Sequence, residues 1–363
     1  MSLRPHGQKV RAALVLTTAL CSGAALASTI NQNTSWTINR GASTTYRVVA
    51  YGDSIFAGYK GSLSSVAKRA GPQVEGEYLA RKFNANMEVM RRTKSGAKAD
   101  DIYNNKIVGE RSYMQTSNTR VVMFEMCGND YLQARSAFSE QTGTCSYSGL
   151  DSALAACTSY TEKAMQAINQ YATTAKTKVV MTIYYPGYNA DNVQTACRDS
   201  ATGASVNKRQ KFLPYLAKSN WRTCSLAAKY GFKCADAFAE YMGADYDSNG
   251  DGQVDSAALR YRDGETEAAY VARITGTLSA TLRDSNTHFV NGSTSYDYLQ
   301  SDDTHPTFTG ASVSVGTFGG TGSGTSAPDF TDASHTNGQN AQWNQWGHER
   351  MGWILSTLDP ATP

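Results

Sequence analysis

The chain has 363 residues, 40% of them apolar, enough to bury a sizeable core. Its formal charge is +3, but Arg4, Lys9 and Arg11 fall in an N-terminal stretch without acids, and the rest balances 31 bases against 31 acids. A neutral chain gives no electrostatic case for nucleic acid or an anionic membrane as partner, and no internal apolar run is long enough for a transmembrane segment.

Residues 1–27 read as a secretory signal peptide: a basic start, an apolar segment from Ala12 through Leu20, and Ala25-Leu26-Ala27 before Ser28. The bulky Leu20 argues against lipid attachment at Cys21. The expected location is therefore secreted or periplasmic. Export bears on the cysteines, because six remain: Cys127, Cys145, Cys157, Cys197, Cys224 and Cys234. An even count in an exported chain suggests disulfides. The shortest loops pair Cys145 with Cys157 and Cys224 with Cys234, while Cys127, at a strand end, also fits a buried thiol.

In chain order, residues 28–45 are polar and read as a strap into the first strand. Tyr46 to Tyr51 is a run of strand formers that ends in Gly52-Asp53-Ser54. An Asp-Ser pair there also suits a helix cap. A helix is expected from Pro72 to Phe83, with proline in its first turn. A short strand, Met87 to Met90, leads to Lys94-Ser95-Gly96-Ala97. The strand Thr119 to Met126 ends in Cys127-Gly128-Asn129-Asp130. Helices at Asp151 to Ala175 and Asn207 to Tyr230 alternate with strands at Lys178 to Tyr185 and Phe232 to Phe238. This alternation predicts βαβ units, a mostly parallel central sheet and a three-layer α/β/α sandwich. No linker divides residues 28–363, so one domain is expected. It carries insertions at about 244–268, acidic and Gly-rich, and at 307–342, rich in Gly, Ser and Thr. The segment from Trp346 to Leu355 suits a final amphipathic helix.

A serine hydroxyl needs a base to take its proton, and that base must be held in one tautomer. Asp302-Asp303-Thr304-His305-Pro306 sets a carboxylate three residues before a histidine, close enough in a loop to reach Nδ1. Acyl transfer also needs donors for the oxyanion. The backbone N–H groups of Ser54 and Gly96 and the side-chain amide of Asn129 all stand at predicted strand ends. Asp332-Ala333-Ser334-His335 repeats the Asp-x-x-His spacing, which makes His335 a rival base. His305 is preferred because His-Pro and the following Gly310 fit better.

With Gly52-Asp53-Ser54, Ser95-Gly96-Ala97, Gly128-Asn129-Asp130 and Asp302-x-x-His305-Pro306 in that order, the chain resembles the SGNH hydrolases, the GDSL esterases and lipases. The resemblance implies a flavodoxin-like α/β/α fold and a secreted serine esterase. Ser54 would be the nucleophile, His305 the general base and acid, and Asp302 the orienting carboxylate. Ser54, Gly96 and Asn129 would form the oxyanion hole. The implied substrate is an ester of a lipid, a small acyl group or an acetylated carbohydrate, and catalysis would need no cofactor. The cysteines and the export signal also resemble the disulfide-bearing exported esterases of this group. An acyltransferase built on the same site is one alternative. A calcium-dependent carbohydrate-binding protein on an inactive scaffold, with Trp343 and Trp346 stacking on sugar, is another.

The acidic insertion has its own chemistry. Asp247, Asn249, Asp251, Gln253 and Asp255, with Gly252 at the sixth position, follow the start of an EF-hand-type loop. They are candidates for a structural calcium ion. Ala258 stands where the bidentate acid belongs, so a further ligand such as Asp245, Glu265 or Glu267 would be needed.

Overall fold

The computed structural model describes residues 29–62, 65–184, 196–243, 259–278, 299–300, 304–307 and 347–363. The expected signal segment, the calcium-loop candidates at 247–255, Asp302, His335, Trp343 and Trp346 lie outside the described residues, as does nearly all of the 307–342 insertion.

In chain order, β1 (Ile30–Asn31), β2 (Thr34–Ile38) and β3 (Thr45–Gly52) lead through the short helix α1 (Ser54–Ala57) to the hairpin β4 (Tyr59–Ser62) and β5 (Ser65–Val66). Next come α2 (Gly71–Lys82), β6 (Asn86–Ser95) and α3 (Ala99–Asp101), which runs into a π-helical stretch, Ile102–Val108. These are followed by β7 (Thr119–Phe124), α4 (Gly128–Ser139), β8 (Gly143–Thr144), α5 (Ser148–Tyr171) and β9 (Thr177–Met181). The remainder is β10 (Cys197–Arg198), α6 (Lys208–Tyr230), β11 (Lys233–Ala235), α7 (Ala237–Gly243), α8 (Glu267–Leu278) and α9 (Gly347–Ser356).

Seven strands form the central sheet, in the order β1-β6-β3-β7-β9-β11 with β2 also on β6. The five strands from β6 to β11 are parallel, and β1 and β2 join β6 antiparallel. Val48 to Tyr51, Val121 to Phe124 and Val179 to Met181 are all buried. Unbroken apolar runs are what a parallel sheet covered on both faces requires. The chain leaves β3 for β6 on one side and returns to β7 on the other. The strand order therefore reverses at β3, and loops part at the carboxyl ends of β3 and β7, where open α/β sheets bind ligands.

Three departures from expectation have physical causes. The polar strap at 28–45 contains two edge strands, because a strand half open to water alternates polar and apolar residues rather than running apolar. Strand β6 does not stop at Met90 but continues through Arg91 to Ser95. Arg91 tolerates full burial because its guanidinium reaches the carbonyls of Ala57, Ala67 and Lys68, and lies 4.1 Å from the Trp36 ring centre. Strand β11 ends at Ala235, and Asp236 starts a helix by accepting from the Ala239 amide.

The bridges are Cys145–Cys197 and Cys224–Cys234. The expected Cys145–Cys157 pairing is thus replaced. The Cys145 amide donates to the Arg198 carbonyl, so the β8 and β10 segments bring Cys145 to Cys197. Cys157 instead lies buried on α5 near Cys127, and both are free thiols. The final helix α9 packs on α2 at glycine contacts: a Cβ on Gly352 would lie 2.3 Å from Val74, and one on Gly71 would lie 2.4 Å from the Met351 sulfur.

Candidate active site

The turn after β3 carries the serine. Asp53 caps α1, its Oδ1 accepting from the Ile55 amide at 2.8 Å, and Gly58 closes the helix in the left-handed region. The helix cap expected of the Asp-Ser pair is thus formed by Asp53. The first helical residue is Ser54, 5% exposed at the sheet's carboxyl edge.

Segment 304–307 is clamped from several sides. The Gln300 amide donates to the His305 carbonyl at 2.8 Å, and the Tyr184 hydroxyl donates to the Thr304 carbonyl at 2.7 Å. At the start of α9, the Gly347 amide donates to Thr307 Oγ1 and the His348 amide to the Thr307 carbonyl. Tyr59 stacks on the imidazole of His305, ring centres 3.8 Å apart and planes 24° apart. The result is a 2.8 Å contact between His305 Nε2 and Ser54 Oγ. At that distance an imidazole with its electron pair on Nε2 can accept the hydroxyl proton.

The neighbouring strand ends converge on the same turn. Gly96, at φ +77° after β6, opens the turn that presents the Ala97 carbonyl. Cys127, in the left-handed region at φ +82°, starts α4 and sets Asn129. Asn129 Nδ2 donates to Asp53 Oδ2 at 2.9 Å and to the Ala97 carbonyl at 3.0 Å. The amide thus ties three strand-end turns together, and reaching an oxyanion means sharing or releasing one of these bonds. Asp130 Oδ2 accepts from the Ala99 amide, and burial pushes the Asp130 carboxyl up to about 6.

Of the residues expected from sequence, Ser54 and His305 are in contact, with Asn129 joined to them through Asp53. Gly96 stands one residue before the Ala97 carbonyl that Asn129 reaches. Asp302, the rival His335 and the five calcium candidates fall outside the described residues. Of the suggested further calcium ligands, Glu265 pairs with Arg273 and Glu267 with Arg222. His348 is a core residue: its Nδ1 accepts from the Gly71 amide, and burial with the charges of Arg91 and His305 pushes it down to about 3. Neutral throughout the physiological range, it anchors α9 to α2.

Sequence reasoning missed two neighbours. Tyr59 carries only the signal of an aromatic just after the Gly52-Asp53-Ser54 turn. Glu125 is an acid in an otherwise apolar strand-end run, and it is 4% exposed behind Gly52.

A family model described as GDSL-like Lipase/Acylhydrolase matches residues 48–338. No curated protein matches the chain. Similar solved structures include the lipase Lip_vut3 from a goat rumen metagenome, at 16% identity and a TM-score of 0.42, covering 65% of this chain and 96% of that one. Phospholipase A1 from Streptomyces albidoflavus NA297 is 17% identical with a TM-score of 0.40, covering 64% and 95%. An extracellular lipase from Streptomyces rimosus is 18% identical with a TM-score of 0.37, covering 65% and 99%.

Proposed function

The chain belongs to the GDSL-like lipase/acylhydrolase family and is an ester hydrolase, and we propose that it works outside the cytoplasm through an acyl-enzyme on Ser54. The observation that carries this reading is the 2.8 Å contact of Ser54 Oγ with His305 Nε2, at the edge of the sheet where strand order reverses. His305 takes the Ser54 proton as Oγ attacks the ester carbonyl. The same imidazole then gives the proton to the departing alcohol, and water reverses the sequence to release the acid. Asp302 is assigned to hold His305 in the tautomer with the free electron pair on Nε2, a role resting on the Asp-x-x-His spacing alone.

Charge on the tetrahedral oxygen is met by the Ser54 and Gly96 amides and the Asn129 side chain in this reading. Such donors act strongly because they are fixed before the charge develops. Export is supported by the signal-like residues 1–27 and by two disulfides, which persist in oxidising compartments. The substrate is an ester whose acid is a small acyl group or a lipid chain, on a lipid or carbohydrate alcohol. Hydrolysis of p-nitrophenyl esters of graded acyl length, by the parent and by Ser54→Ala, tests the reading. Turnover that disappears with the hydroxyl supports it. Equal turnover by both proteins overturns it.

A further inference from the structure

We infer that Glu125 is a positioning residue, a neutral carboxylic acid that holds the nucleophile turn and the Asn129 amide in register through Asp53. This rests on the reading of Ser54 as nucleophile. Glu125 follows β7, and its amide extends the ladder by donating to the Tyr51 carbonyl at 3.1 Å. Its side chain turns toward the end of β3 and fills the space beside Gly52. A Cβ on Gly52 would lie 2.2 Å from Glu125 Oε1 and 2.9 Å from its Cδ. The glycine of Gly-Asp-Ser therefore makes room for this acid.

Two backbone amides of the turn point at the Glu125 carboxyl. Asp53 N–H donates to Oε1 at 2.6 Å, and the Phe56 amide is the second donor. The carboxyl also bonds to the Asp53 carboxylate, so two acids share one buried contact. Two like charges in such a place cannot both ionise, and one proton resolves the conflict. Asp53 is the member that keeps the charge. Its Oδ1 accepts from the Ile55 amide and its Oδ2 from Asn129, and the nearby His305 favours its ionised form. Glu125 holds the proton: burial and the charge of Asp53 both push its pKa well up.

The other titratable groups facing Glu125 do not compete for that proton. Cys127, two residues on, is a buried thiol whose pKa is itself raised, first by burial. Tyr184 lies across a narrow apolar recess walled by Ile55, Met126 and Met181, and its hydroxyl donates to the Thr304 carbonyl. Donation thus runs from the Glu125 carboxyl to Asp53, whose two oxygens also accept from the Ile55 amide and from Asn129. Ionising Glu125 would set a second negative charge against Asp53 and remove the bond that orders both sides. Activity falls as pH rises through the raised Glu125 pKa.

The test compares kcat and KM against pH for the parent, Glu125→Ala and Glu125→Gln, together with the rate at which a fluorophosphonate modifies Ser54 and a thermal melt of each protein. Glu125→Ala leaves two turn amides without an acceptor and is expected to lower kcat by about 10²-fold, with KM changed little. Glu125→Gln supplies an N–H for Asp53 and a carbonyl for its amide. It is expected to recover most of that loss and to lack the parent's alkaline fall. Wild-type kcat in Glu125→Ala overturns the inference. So does a Gln variant as impaired as Ala, or one that declines with alkali as the parent does. Should the Ala variant not fold, the comparison of Gln with parent decides alone. A parent that the fluorophosphonate does not modify at Ser54 would overturn the nucleophile reading itself, which separates the two failures.

Discussion

The same substitution, glycine to alanine, should act in opposite directions on two helices of this protein. Gly352 lies within α9 where it crosses α2, and an added Cβ would meet Val74 Cβ and Cγ1 at 2.3 Å and the Gly71 carbonyl at 3.0 Å. Carbon atoms settle at about 3.5–4.0 Å, so the helices must part by roughly 1 Å. Neither obstacle is the free end of a flexible side chain. Overpacking costs about 1–3 kcal/mol, and a 2.3 Å clash with Val74 Cβ belongs in the upper part of that range, about 2–3 kcal/mol. Offset by about 1 kcal/mol of improved helix propensity, Gly352→Ala should destabilise by about 1–2 kcal/mol. Gly276, in α8, has no described atom within 4 Å of its would-be Cβ, so Gly276→Ala should gain up to about 1 kcal/mol. Urea titration reads both. The first variant has a functional readout as well, because the start of α9 holds Thr307, two residues from His305. A shift of about 1 Å in a catalytic group can cost about 10² in rate, so kcat should fall in Gly352→Ala while Gly276→Ala retains it. Equal stability changes in the two variants, or a Gly352→Ala protein with parental stability and kcat, would refute the packing argument.

Asn129→Ala should lower kcat by about 10²–10³, the usual cost of one oxyanion donor; steady-state kinetics on folded protein check this. Thiol titration of the denatured, unreduced protein should find Cys127 and Cys157 reactive and the other four described cysteines silent. Mass mapping that links Cys145 to Cys157 would contradict the pairing. The carboxyl of half-buried Asp359 is closed off from water beside Glu75, and this burial pushes it up to about 7, above its unfolded value of about 3.9. A raised carboxyl pKa lends stability that is full below the unfolded value and is lost as pH rises through the folded one. The melting temperature should therefore decline between about pH 4 and 7, and Asp359→Asn should flatten that decline.

The parallel sheet was legible because its central strands are unbroken apolar runs. The helices at Pro72 and Asn207 were legible from spacing and a first-turn proline, whereas the one read from Asp151 starts earlier, at Ser148, with Asp151 inside its first turn. Strand β6 was misjudged because Arg91 reads as a surface residue, and only three carbonyls supplied by distant loops make its burial tolerable. The helix α4 was missed because it opens with Gly128-Asn129, poor helix formers that read as a loop. Of the site, the ordered motifs placed Ser54, Gly96, Asn129 and His305 at strand ends and loops. They did not reveal that Asn129 bonds to Asp53, nor that Glu125 stands behind it, since both facts depend on which strands become neighbours. The partner of Cys145 was hidden for the same reason: it lies 52 residues away on a strand too short to read.

The central claim is that Ser54 carries the acyl group and His305 moves its proton. The most direct measurement is rapid acid quench of the enzyme with an activated ester, followed by peptide mapping by mass spectrometry. The account predicts an acyl adduct on Ser54 that forms at least 10²-fold more slowly in His305→Ala. Steady turnover with no adduct on Ser54, or an adduct that forms equally fast without the imidazole, would contradict it.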